Sequence, residues 1–162
     1  MYSPKLNFYF KETRPSSLAV TSHTHTCYEL VYFENVNGTL KIENTSFPLK
    51  PGSLYFVYPG TSHSEIHSSD YSVIFLGFDC DKFPKYKLEE TVYNVLDNKL
   101  IHSLLLRIID EATNQKENYK QIVFPLAVEN LLYVGRATKR KLNKLNIFTI
   151  GNLAEADEKV LI

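Results

Sequence analysis

The sequence predicts a mainly β fold, a closed antiparallel barrel or sandwich, followed by α-helices. Three observations predict it. Residues 1–80 hold short runs rich in Tyr, Phe, Val, Thr and Ile, residue types that suit a pleated, half-buried surface. Turn residues break these runs at short intervals, and many short strands at such spacing favour closure over a flat sheet. After Pro84 the apolar period lengthens to that of a helix.

Taken in order, strands are expected over 6–10, 18–20, 28–33, 39–43, 46–49, 54–58 and 71–78. The breaks are Asn35-Val36-Asn37-Gly38, Pro51-Gly52, Pro59-Gly60 and Ser68-Ser69-Asp70. Asn37-Gly38 reads as a tight turn, because both residues tolerate positive φ. Leu100, Ile101, Leu104, Leu105, Ile108, Ile109 and Ala112 then form a helical stripe. A second helix is expected over 119–134, where Pro125 must kink it or start it anew. Two helices in succession read as a packing or dimerisation unit rather than a pocket. Beyond Gly135, five basic residues (Arg136, Lys139, Arg140, Lys141 and Lys144) crowd a segment read as helix, turn over 146–149, and helix. The expected organisation is a barrel over 1–84, helices over 85–134 and a short basic helical tail over 135–162.

Composition narrows the function. A chain of 162 residues with 44% hydrophobic content can bury one sizeable core. Eighteen Lys and Arg balance 18 Asp and Glu, which argues against a protein that coats nucleic acid over its whole surface. No apolar run is long enough to span a bilayer, and the start lacks the apolar stretch of a signal peptide. A cytoplasmic protein with no membrane partner is expected, with Cys27 and Cys80 reduced.

The chemistry-bearing residues are concentrated in His23-Thr24-His25-Thr26-Cys27-Tyr28-Glu29 and Pro59-Gly60-Thr61-Ser62-His63. In a single β run, residues 23, 25, 27 and 29 share one face. His63 joins them if the chain folds back. Imidazole and carboxylate together suit a divalent transition metal such as Fe, Mn, Ni, Zn or Cu, and the set does not choose between these. A metal-free polar pocket and a set of satisfied core polar groups are the competing readings. Cys27 is a candidate fifth group, although a buried thiol usually acts as a small hydrophobe. Tyr55 and Phe75 are candidate pocket walls, whereas Phe33, Phe56, Tyr58 and Phe78 read mostly as core. His67 reads as a solvent-facing loop residue and His102 as a packing residue.

At these residues the chain resembles the cupin superfamily of small antiparallel barrels (double-stranded β-helices). The first cupin motif, His-x-His-x-x-x-Glu, is matched by His23, His25 and Glu29. The second is matched by Pro59, Gly60 and His63. In metal-binding cupins the corresponding residues are the ligands. A finer resemblance, over roughly residues 5–134, is to the N-terminal domain of AraC-type transcription regulators. It rests on His23, His25, Glu29, Leu30, Tyr32 and Gly38, then Leu49, Pro51, Gly52 and Leu54, then Pro59, Gly60 and His63. It implies a small-molecule effector in the barrel, often without a metal, and a homodimer through the helices that follow. The alternative is a small metal-dependent cupin enzyme, a dioxygenase or isomerase, but no separate general base stands out.

The tail resembles something else. Residues 134–154 are similar to the helix-hairpin-helix of Y-family DNA polymerases, which holds phosphates on backbone N–H groups at a helix start. Tyr133, Asn146 and Asn152 depart from that pattern, replacing two glycines and an aspartate. Nothing upstream resembles a polymerase palm, so polymerase activity is excluded. The candidate phosphate contacts are Arg136, Lys139, Arg140 and Lys144. The alternative is a solvated basic helix. Nucleic-acid binding by this chain alone is expected to be weak or absent.

Overall fold

A computed structural model describes residues 5–79, 92–97 and 99–115. The chain divides into two compact units, Met1–Lys99 and Leu100–Ile162.

Among the described residues of the first unit, the strands are β1 (Lys5–Arg14), β2 (Val20–His23), β3 (Tyr28–Asn35), β4 (Gly38–Ile42), β5 (Thr45–Leu49), β6 (Ser53–Val57), β7 (His63–His67), β8 (Tyr71–Asp79) and β9 (Val92–Asn94). They form a five-stranded sheet in the order β1-β8-β3-β6-β9 and a four-stranded sheet in the order β2-β7-β4-β5. The pairings that build both sheets are antiparallel.

The pleat sorts side chains between two faces. Val31 and Phe33 of β3, Tyr55 and Val57 of β6, and Tyr71, Val73 and Phe75 of β8 share one core cluster with Leu40 and Ile42 of β4 and Leu49 of β5. Both sheets therefore contribute to a single core. The alternate residues Leu30, Tyr32, Leu54, Phe56, Ile74, Leu76 and Phe78 are also buried. Continuous apolar runs in the central strands are what a sheet covered on both faces requires.

Two strands were not expected, and one expected strand is displaced. β7 was missed because its hydrophobic pattern is inverted. Its buried residues are His63, Glu65 and His67, whereas its aliphatic Ile66 is 73% exposed. β9 is only three residues long. The expected strand over 18–20 gives way to β2, which begins at Val20 and leaves Leu18 exposed.

The reading of Asn37-Gly38 as a positive-φ turn is also corrected. Gly38 opens β4, and the positive φ angles among the described residues belong to Glu43, Gln115, Gly52 and Gly60. Glycine is needed at position 38 because a Cβ there would collide with the backbone carbonyl oxygen of Ile66 on β7. The tight turn lies instead between β4 and β5, with Glu43 at φ 51°.

In the second unit the expected stripe is present as α1 (Lys99–Asn114), with Ile101, Leu105, Ile108 and Ala112 buried at helical spacing. The helix expected over 119–134 and the tail over 135–162 lie outside the described residues.

Candidate functional site

Four side chains expected to converge do so, by a route different from the expected one. His23, Cys27 and Glu29 do not share one strand. β2 ends at His23, β3 begins at Tyr28, and His25 lies on the connection between the two sheets. His23 meets His63 because they are direct cross-strand partners of β2 and β7, with ring centroids 4.2 Å apart. Glu29 arrives from β3 of the other sheet, opposite Val57 and Gly77. His25 is held by the turn after β6, whose Gly60 N–H donates to the His25 carbonyl at 2.8 Å. Gly60 stands at φ 78°, a conformation that glycine adopts without strain.

The ligand-type atoms of His23, His25, Glu29 and His63 all lie within 4.8 Å of one another. His23 Nε2 is 3.1 Å from His25 Nε2. Glu29 Oε2 is 3.2 Å from His25 Nε2 and 3.0 Å from His63 Nε2. A metal with bonds of about 2.1 Å sets neighbouring ligand atoms about 3.0–3.4 Å apart, so these separations fit one ion. The outer nitrogens of two rings are tied to backbone. His23 Nδ1 is 2.8 Å from the Thr21 carbonyl oxygen, and His63 Nδ1 is 3.2 Å from that of Thr61. A carbonyl can only accept, so each Nδ1 carries the proton and each Nε2 turns its lone pair into the cluster. Glu29 Oε2 is buried without an aligned hydrogen-bond partner, despite its two imidazole neighbours. An orphaned buried carboxylate oxygen facing imidazole lone pairs is what a cation would satisfy. The four residues therefore fit a divalent transition metal.

The electrostatics divide the histidines. His25 is lowered, first by burial and further by the neighbouring His23 and His63, against the pull of Glu29. Burial is also the largest influence on His63 and acts to lower it. The Glu29 carboxylate, the Thr61 carbonyl and Glu65 together outweigh it, so His63 is raised. Phe8 walls the cluster, its ring 5.6 Å from that of His25.

The remaining candidates fall in different places. Cys27 is a buried free thiol outside the four-residue cluster, so the expected fifth group is corrected. β3 starts after it, and the shared-face alternation does not reach back that far. Phe75 belongs to the core and carries the Arg14 guanidinium 4.7 Å above its ring. Tyr55 is buried edge-on to His63 at 6.5 Å and donates its hydroxyl to Glu65. His67, expected in solvent, is buried on β7, 2.8 Å from the Glu65 carboxylate and stacked on Tyr71. Glu65 itself escaped notice. The signal that could have found it is the period-two spacing of His63, Glu65 and His67. His102 is half-buried on α1. Arg136, Lys139, Arg140 and Lys144 lie outside the described residues.

A family model for the AraC-like ligand binding domain matches residues 5–133. The chain belongs to the AraC-like ligand binding domain family. The two-sheet fold and the order of both histidine motifs agree with this cupin-type domain. The chain is also similar to a predicted oxalate decarboxylase of Thermotoga maritima, at 22% identity over 45% of this chain and 66% of that one, TM-score 0.42. A cupin protein of Bacteroides fragilis is 16% identical over 52% of this chain and 75% of its own, TM-score 0.40. Among curated proteins, DNA polymerase IV of Acetivibrio thermocellus is 46% identical over 54 residues, and that of Clostridium acetobutylicum 47% over 49. The chain spans only 14% and 12% of those polymerases. No helix among the described residues is long and apolar enough to cross a membrane.

Proposed function

We propose that this AraC-like domain is the effector-sensing and dimerisation part of a transcription regulator, and that His23, His25, Glu29 and His63 form the polar floor of its effector site. The observation that carries the reading is the buried, unsatisfied Glu29 carboxylate oxygen among three imidazoles, inside a family defined by ligand binding. A ligand that binds only the folded state raises stability, so thermal melts against a panel of small organic compounds, with and without divalent metals, test it. At a ligand concentration about 100 times Kd, stabilisation of about 2.7 kcal/mol is expected. A flat response to every compound and metal would overturn the reading.

The same donor set favours a second reading, a metal-dependent cupin enzyme. A metal bound there would polarise an oxygen-bearing substrate. Elemental analysis of untagged protein after reconstitution decides whether this stands, since a metal content below about one-tenth per chain removes it. We also propose that Arg136, Lys139, Arg140 and Lys144 make weak phosphate contacts. This is supported by the similarity of one-third of the chain to DNA polymerase IV.

A further inference from the structure

His25 differs from the other members of the cluster in what holds its ring. His23, Glu29 and His63 stand on strands, whereas His25 lies on the connection between β2 and β3. The His23 and His63 rings are also tied through Nδ1 to backbone carbonyls. The Gly60 N–H holds the His25 backbone, but the His25 ring meets its surroundings through Nε2 and through other rings. A held backbone leaves the plane of an imidazole open, because χ2 of histidine is a broad torsion. A metal at the cluster needs the Nε2 lone pair aimed at it, and such aim is set from outside the ligand set. Of the rings against His25, those of His23 and His63 are themselves ligands, and that of Phe8 is not.

Three features of the chain deliver the Phe8 ring to this place. The first is register. Phe8, Gly77, Glu29 and Val57 are successive cross-strand partners on β1, β8, β3 and β6, so they form one row on one face of the sheet. Phe8 and Glu29 therefore flank Gly77. The second is a β-bulge. The β1–β8 register shifts between Leu6 and Phe8, which makes Asn7 the extra residue. Residues two apart in a regular strand share a face, but this shift sends Leu6 to the face of Phe78 and Phe8 to the face of Glu29. The third is the glycine itself. A Cβ on Gly77 would collide with the Phe8 ring, so the ring lies across β8 in the space a side chain would fill. Gly77 is not among the positive-φ residues, so its role is to leave that space rather than to bend the backbone. The Phe8 ring then meets His25 at 5.6 Å, tilted by 53°, and Phe10 stacks on Phe8 at 6.4 Å.

We propose that Phe8 is a positioning residue of the cluster: laid across Gly77 by the bulge at Asn7, its ring sets the plane of His25. This rests on the reading of His23, His25, Glu29 and His63 as one ligand-holding site. Cobalt(II), titrated into the full chain, is the probe, because its absorption spectrum follows the ligand set and geometry. Phe8→Ala should bind cobalt about tenfold more weakly, the lower end of what partners outside a ligand set are worth. Its spectrum should move toward that of His25→Ala. Phe8→Leu, which keeps apolar bulk without a ring, is the second variant should Phe8→Ala fail to fold. Gly77→Ala displaces the ring without touching a ligand, and it should weaken binding as well. Both changes act through one ring, so Gly77→Ala should cost nothing further once the Phe8 ring is gone. A parent spectrum in the Phe8 variant, whatever its affinity, overturns the positioning role, and so do additive effects of the Phe8 and Gly77 changes. Carbon relaxation of the histidine rings in the metal-free chain separates this failure from failure of the site. There the Phe8 variant should loosen the His25 ring and leave those of His23 and His63 as they were. If the parent takes up no cobalt but His25 alone loosens, the positioning role stands and the metal reading falls. A His25 ring no looser than its neighbours overturns the role of Phe8.

Discussion

At the scale of single residues, the cluster sets two histidines against each other. Glu29, with the Thr61 carbonyl and Glu65, raises His63 against burial, whereas burial lowers His25. In the metal-free chain, the raised His63 contributes stability below its ordinary pKa of about 6.5 that is lost as pH rises through its raised value. His25 acts in the opposite sense, since its lowered pKa costs stability as pH falls below the ordinary value. A metal needs both rings neutral, so protons compete with it. Metal affinity, measured by isothermal titration from pH 8 downwards, should therefore begin to fall at a pH above the usual histidine range. Glu29→Gln should weaken metal binding at least about 100-fold, since even partners outside the ligand set are worth about 10–100-fold. An unchanged affinity would remove Glu29 from the site. The identities of these residues were legible in the sequence, because the spacing of His23, His25, Glu29 and His63 matches the family's motifs. Glu65 and His67 were not legible, because polar residues at inward positions of β7 resemble a loop when read by hydropathy.

At the scale of elements, strands place His23, Glu29 and His63, and a glycine turn holds His25. Gly52 and Gly60 stand at φ 81° and 78°, so an alanine at either meets the same backbone strain. They differ in their surroundings. A Cβ on Gly60 meets nothing within 4 Å, whereas one on Gly52 would collide with both backbone and side chain of Leu96. Gly60→Ala should cost about 1–2 kcal/mol in urea unfolding, the left-handed penalty alone. Gly52→Ala should cost more than that, because the chain around Leu96, just after β9, must move. Equal costs would show that the Leu96 contact carries no energy. Gly60→Ala should also loosen His25, whose carbonyl the Gly60 N–H holds, and weaken metal binding, whereas Gly52→Ala should spare it. Pro51-Gly52 and Pro59-Gly60 were legible as breaks for the reason that makes them sensitive: only glycine enters that φ region freely. The turn at Glu43 was not legible, since nothing in glutamate favours positive φ. Its neighbours supply the reason, with the Ser62 N–H donating to the Glu43 carboxylate at 2.9 Å and the Glu43 N–H to the Ser62 carbonyl at 2.8 Å.

At the scale of the whole molecule, charge decides what the chain can hold without help. Its 18 basic and 18 acidic residues cancel (18 − 18 = 0), so no net field draws it to nucleic acid. Any attraction must come from a local group, and the tail offers Arg136, Lys139, Arg140 and Lys144. Each phosphate neutralised on duplex DNA contributes a slope of about −0.9 to the logarithm of affinity against the logarithm of salt. Four contacts therefore give a slope no steeper than about −4. Binding to random duplex should be measurable at about 50 mM salt and lost near 200 mM. Replacing the four residues with alanine should flatten the slope. A steeper slope, or one that survives the replacement, would move the contact to another surface of the molecule. The effector site should not respond to this change. None of the four basic residues belongs to the His23, His25, Glu29 and His63 group, so ligand-induced stabilisation of the quadruple variant should match that of the parent chain.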